Sequence, residues 1–196
     1  SVFCNAPKAI SQTISYYATG EEFTGPLPSW KNIKTDFGAK GDGITDDAPA
    51  ITAALHTFRL MDNINNSVLY FPAGTYRLGS TILNADRTEG IYYAGLGIVG
   101  EDPSNTILLW DGPVDGTMFR LDGWHLKVSR LTFDGQNKAK TGLLRDGEFG
   151  TAMEYSDLVF KGLFWGVQLG GESGMGQAEN LFLRCRFFNC DCAIFE

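Results

Sequence analysis

In the last third of the chain, apolar residues recur on a period of 27. Arg130-Leu131-Thr132-Phe133-Asp134-Gly135, Asp157-Leu158-Val159-Phe160-Lys161-Gly162 and Arg184-Cys185-Arg186-Phe187-Phe188-Asn189 follow one another at that interval. Leu131, Leu158 and Cys185 form one column, and Phe133, Phe160 and Phe187 a second. Alternate residues of a strand face the same way, so two columns two positions apart point into one core. Two residues beyond the phenylalanines stand Gly135, Gly162 and Asn189, types that accept a left-handed backbone. They predict a tight turn closing each strand. A unit this short cannot bury its apolar side alone and must stack on copies of itself. The repeat therefore predicts an all-β fold, a parallel β-helix (solenoid).

Upstream, Trp30 to Phe37 reads as a first strand and Gly38 to Asp47 as a glycine-rich turn. From Ala48 onward, Ile51, Ala54, Leu55, Phe58 and Met61 keep helical spacing and predict an amphipathic helix of about four turns. Thr45, Asp46 or Asp47 can accept from its first N–H groups, and Pro49 is tolerated there. The end coil of a solenoid has an apolar edge without a neighbour, so this helix is expected to be the N-terminal cap. Strand-like runs follow at Val68–Phe71, Thr75–Leu78, Gly90–Val99, Thr106–Trp110 and Thr117–Leu121. Residues 1–29 show no period and read as an extended lead-in, with 30–196 holding the cap helix and the first coils. Cys190 to Glu196 begins another circuit, Ile194 aligning with Val167. That ending predicts further coils, self-association or another polypeptide closing the stack.

Composition narrows the partners. With 16 basic and 23 acidic residues the net charge is -7, opposite to the basic footprint of nucleic-acid binding. No apolar run approaches the roughly 20 residues of a membrane span, and the Ser1-Val2-Phe3 start suits a mature secreted or cell-surface protein. Cys185 falls in the core column as a buried thiol. Cys190-Asp191-Cys192 has only His56 and His125 as imidazole partners, neither at ligand spacing, so no metal is expected. Whether Cys4 pairs with Cys185, Cys190 or Cys192 stays open.

Phe37-Gly38-Ala39-Lys40-Gly41-Asp42-Gly43-Ile44-Thr45-Asp46-Asp47, then a helix, then Val68-Leu69-Tyr70-Phe71-Pro72-Ala73-Gly74-Thr75-Tyr76 resembles the opening of the pectate-lyase-like right-handed β-helix superfamily. Its members include a rhamnogalacturonase/epimerase-like group, fungal exo-β-1,3-glucanases and phage tailspikes. The resemblance implies a right-handed parallel β-helix with polysaccharide bound in an open groove along the outside of the stack. The paired-aspartate, histidine and arginine-lysine strings of polygalacturonases are absent.

The leading expectation is a polysaccharide-degrading glycoside hydrolase without a cofactor. One alternative is a lyase or epimerase on uronates, for which calcium would serve as cofactor; the other is a non-catalytic glycan-binding or adhesive β-helix. Glycosidic chemistry needs carboxyl groups, and Glu148, Glu154, Glu172, Glu179 and Asp191 are the candidate acids. Tyr92, Tyr93, Trp124 and Trp165 are candidate sugar contacts, with Arg184 as a candidate charged contact. Arg130, Asp157 and Arg184 share a column, which predicts an aspartate lying between two arginines in an ion-pair ladder.

Overall fold

The computed structural model describes residues 25–58, 67–83, 94–146, 151–170 and 178–196. The expected lead-in, apart from its last residues, lies outside them. The chain winds as a right-handed parallel β-helix in which each circuit gives one strand to each of three faces. The first circuit holds β1 (Lys31–Asn32), β2 (Asp42–Asp46) and, in place of a third strand, α1 (Ala48–His56). The second holds β3 (Val68–Phe71), β4 (Gly74–Leu78) and β5 (Ile82–Leu83), and the third β6 (Gly97–Gly100), β7 (Thr106–Trp110) and β8 (Thr117–Arg120). The fourth follows with β9 (Lys127–Ser129), β10 (Thr132–Asp134) and β11 (Thr141–Arg145).

In the last two circuits the second and third faces merge. After β12 (Thr151–Ser156) comes the bent strand β13 (Val159–Leu169), and after β14 (Ala178–Leu183) comes the bent strand β15 (Arg186–Phe195). The first face is a six-stranded sheet, β1-β3-β6-β9-β12-β14; the other two form one nine-stranded sheet folded along an edge. Every ladder is parallel, and Phe133 pairs with Phe160 and Phe160 with Phe187, as the period requires.

These phenylalanines fill the centre. Phe133 and Phe160 stack with centroids 4.9 Å apart and planes 13° from parallel. That separation is the inter-strand spacing itself, so each ring rests on the one below. Room for the stack comes from glycines: a Cβ on Gly166 would lie 2.6 Å from the Phe187 ring. A parallel column, Ile98, Val128, Tyr155 and Phe182, fills the first-face side.

Three local expectations are corrected, and the acceptor at the helix start is placed. The first strand stops at Asn32, because the Asn32 side chain accepts from Lys34 N–H at 2.9 Å and its carbonyl from Asp36 N–H at 2.9 Å, which turns the chain. The helix spans Ala48–His56, shorter than its apolar spacing suggests; Phe58 is buried just beyond it, and Met61 lies outside the described residues. Asp46 accepts from Ala48 N–H at 3.2 Å, whereas the buried Asp47 carboxylate accepts from Lys40 and Gly41 N–H at 2.7 and 2.9 Å and ties the glycine-rich loop to the helix start. Gly162 and Asn189 are left-handed as expected, with φ of 61° and 50°, but Gly135 is not; Gln136 and Asn137 carry the turn there. Glycine is needed at 135 for a different reason, since a Cβ would come within 2.4 Å of the Gly162 carbonyl oxygen.

Candidate functional site

The outward side chains are set by the corners of the stack. Two columns of left-handed residues bracket the first face: His125, Ala152 and Glu179 with φ of 55°, 53° and 57°, and Arg130, Asp157 and Arg184 with φ of 62°, 54° and 53°. Both keep the 27-residue period. At His125, Arg130 and Asp157 the backbone N–H donates to the next circuit, as from His125 to the Thr151 carbonyl at 3.2 Å and from Asp157 to that of Leu183 at 2.9 Å. Non-glycine residues rarely adopt this conformation; here the stack imposes it on whatever residue reaches the corner.

The second column is therefore a corner and not an outward strand position. Arg184 clasps Asp157 through two bonds, Nε to Oδ1 at 2.5 Å and Nη2 to Oδ2 at 2.8 Å. Asp157 is only 7% exposed, so this guanidinium offsets the cost of burying its charge. The Arg130 side chain reaches down to the Gly100 and Glu101 carbonyls of the circuit below. Arg184 thus has a structural partner within the expected ladder.

At the first column two candidate acids meet. Glu154 and Glu179 line an open depression of about 240 Å³ together with His125, Lys127, Ala152, Met153 and Leu181. Lys127 Nζ pairs with Glu154 Oε2 at 3.0 Å, and Thr151 Oγ1 donates to Glu179 Oε2 at 3.1 Å. Leu181, 49% exposed, supplies an apolar side.

Around the same edge, the third face presents a wall of different character. Trp165 stacks on Phe195 at 4.6 Å with planes 9° apart, and Lys140 Nζ lies 4.5 Å from its centroid. Lys140 comes from the circuit before Trp165 and Phe195 from the one after, so the two cover the faces of the indole. Phe164, 48% exposed, packs edge-on at 5.3 Å. Asp191 follows Cys190, the partner of Leu163, and is exposed on the circuit next to Phe164. Arg120 clasps Asp146 at 2.7 and 2.6 Å on the same face. Beneath, the fully buried Arg145 donates to the Leu121 and Gly123 carbonyls at 2.9 and 3.1 Å, holding the turn that leads into Trp124 and His125.

The remaining candidates separate. Glu148, Glu172, Tyr92, Tyr93 and Cys4 lie outside the described residues. Trp124 is half-buried at the corner, bridging to Ala94 and Thr151. No disulfide joins Cys185, Cys190 and Cys192, and burial raises the thiols of Cys185 and Cys190 to about 11. Among the described residues no three His, Cys, Asp or Glu side chains group as ion ligands, and no helix is long and apolar enough to cross a membrane. The sequence pattern gives His125 no chemical neighbourhood and does not single out Lys127, Lys140, Leu181 or Phe195. The 27-residue period contains their positions, but nothing in their residue types marks them.

Residues 30–118 match the family model described as rhamnogalacturonase A/epimerase, pectate lyase-like. With the stacked three-faced solenoid, that match supports a pectate-lyase-like parallel β-helix superfamily for this chain. It is 34% identical over 139 residues to mannuronan C5-epimerase AlgE1 of Azotobacter vinelandii, covering 53% of this chain and 10% of that protein. It is 32% identical over 118 residues to alginate lyase 7 of the same organism, covering 57% of this chain and 13% of that protein. The chain thus spans about a tenth of the length of these relatives. Among solved structures, the AlgE4 A-module of A. vinelandii superposes with a TM-score of 0.53 at 18% identity, over 82% of this chain and 50% of that one. The catalytic unit of a GH87 α-1,3-glucanase from Streptomyces thermodiastaticus gives a TM-score of 0.53 at 14% identity, over 85% of this chain and 32% of that one. At these identities the structural likeness speaks for the fold, and the relatives are carbohydrate-active proteins with different chemistries.

Proposed function

We propose that this protein acts outside the cell on a uronate-bearing polysaccharide, which lies along the third face and is processed by a lyase or epimerase reaction at C5. The observation that carries this reading is the wall itself, where Lys140 accompanies exposed aromatic side chains on an otherwise acidic protein. Abstraction of the C5 proton becomes feasible when a cation neutralises the neighbouring carboxylate and a general base stands close by. Lys140 suits the first role and Asp191 the second. Elimination follows if the C4–O bond breaks and its oxygen takes up a proton, and epimerisation if a proton is delivered to C5 from the opposite face. The kinship with an epimerase and a lyase supports the same substrate class.

One observation favours a hydrolase as the second reading: Glu154 and Glu179 share one depression on neighbouring circuits, and hydrolysis of a glycosidic bond needs two carboxyl groups. Both, however, are already engaged, by Lys127 and Thr151.

Incubation with polymannuronate, polygalacturonate and neutral glucans in D₂O separates the outcomes. Unsaturated uronate ends or deuterium at C5 supports the proposal. New reducing ends on a neutral glucan, without unsaturation or exchange, supports hydrolysis and overturns it.

A further inference from the structure

The depression on the first face differs in charge from the third-face wall. Its lining holds one lysine against two glutamates beside His125, so carboxylates outnumber the ammonium. A uronate carboxylate brought there would face like charges on a protein already at -7. A neutral sugar would not. Carboxylates are acceptors with about four lone-pair sites each, and the bonds from Lys127 and Thr151 leave acceptor capacity on both glutamates. Bonds from hydroxyl groups to an ionised oxygen are among the stronger neutral-ligand contacts. Leu181, 49% exposed, completes the lining with apolar surface, matching the C–H face of a pyranose ring, above the buried Met153.

The lining is also held in place. His125 and Glu179 are fixed by left-handed corners whose backbone is tied into the stack, and Lys127 and Glu154 lie on the paired strands β9 and β12. A site whose side chains stand on paired strands loses less freedom on binding than one built on a long loop.

We propose that this depression is a second carbohydrate site, which holds one uncharged hexose unit of a glycan without reacting with it. The proposal rests on the reading that the protein works on polysaccharide, but it gives the first face a separate role, which is to anchor a neutral chain while the third face engages an acidic one.

A titration with neutral tetrasaccharides, one of glucose and one of mannose, and with a mannuronate tetrasaccharide tests this, read from the methyl resonances of Ala152, Met153 and Leu181. A neutral tetrasaccharide is expected to shift these methyls, and the mannuronate to leave them unmoved. Glu179→Gln and Leu181→Ser are each expected to weaken the neutral ligand at least about tenfold, the loss of one charge-assisted bond or one apolar contact. Both side chains are exposed, and unchanged Ala152 and Met153 methyl resonances in each unliganded variant verify its fold. Methyls that respond to mannuronate as strongly as to the neutral sugars, or to none of the three, overturn the proposal. Turnover of polymannuronate with silent methyls would sink the second site and leave the proposed function standing. Neutral binding here without any uronate turnover would do the reverse.

Discussion

Phe160 and Phe187 lie with ring centroids 5.0 Å apart and planes 7° from parallel, one circuit above the other. Together with Phe133 they form a continuous stack through the core, and each ring is both floor and ceiling for its neighbours. Removing the middle ring leaves a cavity open to contacts on both sides, so Phe160→Ala is expected to cost about 3–5 kcal/mol. The adjacent Lys161 points outward, yet its ammonium pairs at 2.8 Å with Asp134, whose side chain is only 9% exposed. Because the lysine itself is 43% exposed, Lys161→Ala is expected to cost only about 1 kcal/mol. Urea melts of the two variants check the ranking. Equal losses would mean that the inward and outward assignment is wrong.

Glycine substitutions at two positions should act in opposite directions. Ala152 sits in a left-handed corner that costs an alanine strain and a glycine none, so Ala152→Gly is expected to stabilise by about 0.5–1 kcal/mol. At Gly135 a methyl group would strike the backbone of the next circuit, and Gly135→Ala is expected to destabilise by at least about 1–3 kcal/mol. Thermal melts that show both variants shifted the same way would contradict the assignment of strain to the corner and crowding to the glycine.

The Phe133–Phe160–Phe187 stack was legible in the sequence because a core position tolerates few residue types, so the column repeats chemically as well as spatially. The corners were not. His125, Ala152 and Glu179 share a backbone conformation and no side-chain chemistry, since the stack dictates φ and leaves the outward side chain free to vary. The same freedom hid the depression: Glu154 and Glu179 are 25 positions apart in sequence and meet only because a corner residue on one circuit lies diagonal to a strand residue on the circuit below. Arg184 and Asp157 were visible as neighbours, but the bend that joins them was not.

Stability should fall on the alkaline side. Burial raises Cys185 and Cys190 from 9.0 to about 11, and burial followed by the nearby Glu101 raises Tyr70 from 10.0 to about 12. Raised values mean that the unfolded chain gives up these protons first. Their contribution is therefore complete below pH 9 and is lost as the pH climbs through 9 to about 12. Asp42 has the opposite sign. Backbone N–H groups of Thr45 and Ile44 hold it below its usual 3.8, so its contribution is present above that pH and lost on acidification below it. A melting temperature measured across pH 3–12 should show both declines, with Cys190→Ala flattening the alkaline one. A temperature that stays level up to pH 11 would contradict burial of the thiols.

The most direct test of the account is whether the third face reads the charge of a glycan at Trp165. Its fluorescence, taken as the difference between the protein and a Trp165→Phe variant, can be followed during titration with a mannuronate tetrasaccharide and with the same tetrasaccharide reduced at its carboxyl groups. Lys140 lies over the indole, so a bound carboxylate must change the field at the ring. The account predicts a saturable change with the mannuronate, weakened at least about tenfold by carboxyl reduction and again by Lys140→Gln. An equal response to both sugars, or no response to either, would contradict it.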